Sequence, residues 1–251
     1  LTMWVQAIAF AVYLARTPRF ADLRLFAQFD PPRRGPIMQL LRTGLPIGIT
    51  VLMEGSLFIV TALLIARLGA TPAAAHQIAI NVSALCFMVP MGVAEATTVR
   101  VGHAVGSGDV AGIRRAAHAG YVIVLATQAM SALFLLLGHD LVVSLYTDDL
   151  AVAALAGTLL LFAAAFQFPD GIQVLSAGEL RGLKDTRVPM WLAVVSYWGL
   201  GMPLGAGLGL GLGWGPQGMW LGLIVGLTAA AVLLGWRFER SSRRRPAVMS
   251  A

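Results

Sequence analysis

Three acidic residues, Glu54, Glu95 and Asp170, stand inside long apolar runs of a 251-residue chain. An ionised side chain at the centre of a membrane helix costs about 2.5–3.5 kcal/mol on insertion scales. Such residues therefore usually face a bundle interior or a cavity. Glu54 lies eight residues past Pro46, about 12 Å along a helix. Asp170 lies eleven residues before Arg181, about 16 Å from the same end. Two acids at comparable depth can line one cavity and take up a proton or a small cation. Glu95 is only five residues from Arg100, nearer the boundary, where a local ion pair or a snorkelling position suits it better. Pro169 precedes Asp170 and has no amide hydrogen, so the Ala165 carbonyl loses its helical donor, and Gly171 admits a bend. A carboxylate beside a freed carbonyl at a helix break suits a coupling ion. Gln77 and Asn81, one turn apart, are candidates for neutral ligands if their helix faces the cavity. Taken alone, each is more commonly a satisfied interhelical hydrogen bond.

These acids need an apolar frame, and composition supplies one. Charged residues make up 12% of the chain and hydrophobic residues 58%, with a mean hydropathy of +0.78. Water-soluble domains carry about 25% charged residues. The formal charge of +6 raises nucleic acid as a partner. The charges, however, lie in short clusters between apolar runs, which is the pattern of a membrane surface and not of a nucleic-acid interface. Six runs, at 46–66, 73–99, 116–138, 150–178, 188–212 and 216–236, are each long enough to cross about 30 Å of hydrocarbon as a helix. Barrel strands would be about ten residues long and would alternate in polarity. The expected fold is an all-α membrane protein with a six-helix transmembrane lobe.

Loop charges orient that lobe. Counting through the six runs puts 17 of the 18 Lys and Arg residues on one side, leaving Arg67 on the other with Asp140, Asp148 and Asp149. The basic side is expected to be cytoplasmic, including the C-terminus. The apolar stretch 1–15 is too short to span and lacks a signal-peptide pattern; it reads as the end of a preceding helix, and the chain as a fragment. Residues 16–44 form a long connection containing Pro31–Pro32–Arg33–Arg34. Phe20, Leu23 and Phe26 on one side, and Ile37, Leu40 and Leu41 on the other, allow short interfacial helices there; a plain linker fits equally well. The expected division is thus 1–15, a linker at 16–44, the lobe at 45–237 and a basic tail at 238–251. The Arg243–Arg245 run is expected to anchor at anionic lipid.

Other chemistry is thinly represented. Cys86, the single cysteine, permits no intramolecular disulfide and reads as a small core residue. His76, His103, His118 and His139 all fall near predicted helix ends and are expected at interfaces, without metal-ligand spacing. No phosphate-binding Gly-rich loop with its lysine occurs, so ATP hydrolysis by that route is excluded. An intramembrane hydrolase built on Glu54 and Asp170 has no motif behind it, and the chain is not expected to be an enzyme. Gly218, Gly222 and Gly226, and separately Gly201, Gly205 and Gly209, recur every four residues and invite close helix approach.

Several stretches resemble one family. They are Gly44–Leu–Pro–Ile–Gly48 followed by Glu54, Ala75–His–Gln–Ile–Ala–Ile–Asn81, and Pro90–Met–Gly92 with Thr98–Val–Arg–Val–Gly102. Asp170–Gly–Ile–Gln–Val174, Leu180–Arg–Gly–Leu–Lys–Asp–Thr–Arg187, and Tyr197–Trp198 with Gly201 and Pro203 follow in the same order. Together they resemble the multidrug and toxic compound extrusion (MATE) transporters of the NorM type. The resemblance implies a twelve-helix, two-lobe antiporter exporting drugs or organic cations against H+ or Na+, of which this chain is the C-terminal half. It implies that Glu54 and Asp170 are the lobe's cation or proton ligands, with Gln77, Asn81 and Glu95 as cavity polar candidates. The implied partners are small-molecule drugs, the lipid bilayer and an N-terminal lobe, with no cofactor beyond the coupling ion. The family often places a tyrosine where this chain has Phe166, so a sodium site would lack that hydroxyl. The rival readings are a lipid-linked oligosaccharide flippase of the same fold superfamily, the membrane subunit of an ATP-driven transporter, and a lobe inactive alone. The flippase would be expected to need a more cationic cavity.

Overall fold

A computed structural model describes residues 2–17 and 33–244. Arg19, Phe20, Leu23, Arg24, Phe26, Pro31, Pro32 and Arg245 lie outside the described residues, and with them the expectations placed there. The chain divides into two compact units, Leu1–Arg42 and Thr43–Ala251.

The first unit holds α1 (Thr2–Arg16), whose apolar side chains such as Met3 and Trp4 are exposed, and the opening turns of α2 (Arg34–Ala66). Ile37, Leu40 and Leu41 therefore belong to the first turns of one long helix, not to a separate interfacial helix or a plain linker. The second unit contains the rest of α2, then α3 (Ala70–Gly106), α4 (Val110–Ser144) and α5 (Leu150–Gly182). A sixth span, Arg187–Gly211, is built from α6 (Arg187–Val194), a π-helical stretch Val195–Gly201, α7 (Met202–Ala206) and a second π stretch Gly207–Gly211. α8 (Gly215–Arg244) closes the chain. Six helices are long and apolar enough to cross a membrane, and no strand occurs among the described residues. The helices extend beyond the apolar runs; the run at 73–99, for example, is the middle of α3.

Helix ends are set by local chemistry. Asp109 caps α4 by accepting the Gly112 amide at 2.7 Å, and Asp149 caps α5 by accepting from Ala151 and Val152. At the C-terminus of α5, Lys184 takes φ 59°, and the amides of Lys184 and Asp185 return to the carbonyls of Arg181 and Leu180. Asp185 is then held by Arg237 of α8 at 2.8 Å.

α5 is the central helix of the second unit and packs on α3, α4 and α8. Its helix continues unbroken through Pro169, contrary to the break expected there. Gly171 lets α4 approach closely: a Cβ there would meet Val124 and Gln128 of α4 at 2.8 Å. Gln128 fills this approach, its Nε2 donating to the Gln167 carbonyl at 2.7 Å and to Gln167 Oε1 at 3.0 Å. His76, near the start of α3, is turned into the protein. It is 2% exposed and its Nδ1 accepts from Trp220 Nε1 at 3.2 Å. Cys86 is half-buried rather than core.

The two glycine series pack on each other. A Cβ at Gly222 would run into Gly205 and lie 2.6 Å from the Gly201 carbonyl, and one at Gly218 would lie 2.6 Å from the Gly209 amide nitrogen. The sixth span and α8 thus meet backbone to backbone.

Candidate functional site

α2 meets its neighbours through side chains, and the space left beside it forms the site. Phe58 sets its ring edge-on to Phe166 with centroids 6.0 Å apart, and Trp198 Nε1 donates to the Met53 carbonyl at 3.3 Å. Between α2, α3 and α5 lies a cavity of about 480 Å³. Glu54 enters from α2, Glu95 and Ser83 from α3, and Asp170, Phe166 and Arg181 from α5. The two acids of matched depth therefore line one cavity, Asp170 almost fully buried at 3% exposure and Glu54 half-buried.

Polar support for Glu54 comes from residues that entered the sequence reading only as motif letters. Gln173 lies one turn beyond Asp170 on the same helix face. Its Nε2 donates to the Tyr197 hydroxyl and, at 3.5 Å, to Glu54 Oε2. Tyr197 sits in the first π-helical stretch and is fully buried. A π turn displaces the helical register by one residue, a device frequent at functional sites. The result is a line of oxygen and nitrogen atoms, Glu54, Gln173 and Tyr197, joining α2, α5 and the sixth span beside Asp170. A narrower pocket of about 50 Å³ continues past Glu54 and Gln173 to Arg181, Asp185 and Thr186.

Arg181 carries the cavity's positive charge. Its Nη2 binds Glu95 Oε1 at 2.9 Å. The ion pair expected for Glu95 thus forms, but across helices to Arg181 and not beside Arg100. Glu95 also lines the cavity. Gln77 and Asn81 are exposed and hydrogen-bonded to each other at 3.4 Å. They do not line this cavity, yet they continue the stripe of α3 that reaches it through Ala84, Met91 and Glu95. Phe166 is packed between Phe58 and Trp220, so an aromatic wall faces Asp170 at the position discussed above.

With Glu95 paired to Arg181, the other two carboxylates of this largely apolar cavity, Glu54 and Asp170, are costly unless a positive species joins them. The ligand atoms available are those of Glu54 and Asp170, with the Gln173 amide and Tyr197 hydroxyl behind. Among the described residues no group of three or more His, Cys, Asp and Glu side chains is placed to hold a metal ion.

Sequence reasoning overlooked a further buried acid. Glu179 is 0% exposed, and neither carboxylate oxygen has a hydrogen-bond partner at bonding geometry. The nearby Tyr121 hydroxyl makes its short contact, 2.7 Å, to Ser176. Glu179 follows Asp170 by nine residues, about 900° of helix, so the two point to opposite sides of α5. It stands outside the cavity.

Comparisons with known proteins agree with this fold. The MatE family model matches residues 46–206. The chain is 78% identical over 244 residues to a probable multidrug resistance protein NorM of Xanthomonas campestris pv. campestris, covering 97% of this chain and 53% of that protein. It is 43% identical to the multidrug resistance protein PmpM of Pseudomonas aeruginosa, covering 96% and 52%. The chain thus spans about half the length of the curated relatives it matches. In fold it resembles the eukaryotic MATE transporter AtDTX14, with a TM-score of 0.84 at 18% identity over 96% of this chain and 55% of that one. A MATE protein in the straight conformation gives 0.81 at 19% identity, over 98% and 55%. From the matched family model and these helices, the chain belongs to the MatE family.

Proposed function

We propose that this chain forms the C-terminal lobe of a two-lobe secondary transporter that exports drugs or organic cations in exchange for H+ or Na+. The observation that carries the reading is the shared cavity of Glu54 and Asp170. Uptake of the coupling ion at these acids neutralises them and favours one access state; the cargo cation competes for the same charge. An ion entering down 100 mV contributes about 2.3 kcal/mol per charge. Gln173 and Tyr197 position Glu54, and Gln77 and Asn81 extend the polar stripe toward the space a second lobe would enclose. The basic ends of the helices face the cytoplasm, in a plasma membrane, by the positive-inside rule.

The flippase reading needs positive charge free to hold phosphate. Among the described residues lining the cavity, one base, Arg181, stands against three acids, Glu54, Glu95 and Asp170, and this excess of negative charge supports a cationic cargo. Phe166 offers no oxygen, so a sodium site here would lack that ligand and the proton stands as an equal candidate. The test is transport of ethidium by the two-lobe protein carrying this chain, reconstituted in vesicles without ATP. An imposed pH or sodium gradient should drive accumulation against the ethidium gradient, and collapsing that gradient should stop it. No accumulation on either gradient, with accumulation restored by adding ATP, would replace this reading with that of an ATP-driven transporter.

A further inference from the structure

At the arginine-rich end of the lobe, α3 and α4 part to leave a second cleft of about 780 Å³. It opens on another face of α3 from the cation cavity: Thr97, in the cleft, and Glu95, in the cavity, are two residues or about 200° apart. Small side chains, including Ala96 and Ala119, leave the space, and Ile123 extends its apolar floor away from the helix ends. Arg100, His103 and Arg115 form the rim. Asp109, the one acid lining the cleft among the described residues, is committed to capping Gly112 and pairing with Arg115 at 3.2 Å. No acidic partner among the described residues offsets Arg100. Cationic rim and apolar furrow together match an amphiphile with an anionic head and a hydrocarbon tail. The same charge repels the organic cations proposed as cargo.

We propose that this cleft binds an anionic membrane phospholipid, its phosphate on Arg100 and Arg115 and one acyl chain along Ala96, Ala119 and Ile123. Basic recesses between membrane helices at the cytoplasmic side hold such headgroups by paired charge, while the furrow holds the tail by burial. The site stands independently of the transport reading, since neither Glu54 nor Asp170 takes part.

Native mass spectrometry of the purified two-lobe protein tests it, with phosphatidylglycerol and phosphatidylethanolamine of the same acyl length titrated separately. The Arg100→Gln/Arg115→Gln pair should weaken phosphatidylglycerol binding by about tenfold and leave phosphatidylethanolamine unchanged. Ala119→Trp, which fills the furrow and keeps both arginines, should also lose phosphatidylglycerol. Arg240→Gln/Arg243→Gln removes the same charge elsewhere and should retain it. The proposal is overturned by undiminished phosphatidylglycerol binding in either cleft variant. An equal loss in the Arg240/Arg243 control overturns it too, since attraction would then follow net charge alone.

Discussion

Asp170→Asn should lower gradient-driven efflux of an organic cation by tenfold or more while leaving the protein folded. Asparagine keeps the size of the side chain and its ability to hydrogen-bond, so packing at this 3%-exposed position is retained. What is lost is one of the two cavity acids, Glu54 and Asp170, that are not ion-paired among the described residues as Glu95 is with Arg181. Removing one partner of a buried charge interaction typically costs 2–5 kcal/mol, and about 1.4 kcal/mol is a factor of ten. Glu54→Gln should act in the same direction, and the double variant should lose little more than the worse single one, because both acids serve one ion. Efflux rate at fixed protein level, with elution as a single folded species as the control, reads the effect. Gradient-dependent efflux at the full rate would remove Asp170 from the mechanism.

The second large effect is structural. Gly222→Ala places a methyl group against the backbone of Gly205 and within 2.6 Å of the Gly201 carbonyl. Backbone cannot rotate aside as a side chain can, so the sixth span must move away from α8. Overpacking of this kind costs about 1–3 kcal/mol, and here the contact is with two glycines at once, so the upper end applies. A fall of several degrees in melting temperature is expected. Gly207→Ala is the matched control, since a Cβ there meets nothing within 4 Å and the position is exposed. Equal stability of the two variants would show that the glycine series do not pack as described. Separation of the sixth span also carries Tyr197 away from Gln173, so efflux should fall along with stability.

The residues show which features a sequence discloses. Spans and charge asymmetry were legible because about 20 apolar residues are needed to cross hydrocarbon, whatever the neighbours are. The matched depth of Glu54 and Asp170 was legible because helical rise is constant. The direction of each side chain was not. Glu95 met Arg181, 86 positions away, and not the nearby Arg100. His76 lies six residues into α3 and Trp220 five into α8, so one buries the other at an end where depth alone suggested an interface. Glu179, one position past the run at 150–178 and two before Arg181, carries no sequence mark of burial, yet it is fully buried in the packing of α5. The polar line through Gln173 and Tyr197 depends on a π-helical register that no periodicity in the sequence announces. The glycine series were visible, but their facing each other needed the fold.

Drug binding to the purified two-lobe transporter, followed by the ion it displaces, tests the shared cavity most directly. Adding tetraphenylphosphonium to the weakly buffered protein should release protons to a pH-sensitive dye, or displace radioactive sodium if that is the coupling ion. Release should vanish in the Glu54→Gln/Asp170→Asn protein, with drug affinity lowered in parallel. Unchanged displacement and unchanged affinity in the double variant would contradict the account, because cargo and coupling ion would then meet somewhere other than between these two acids.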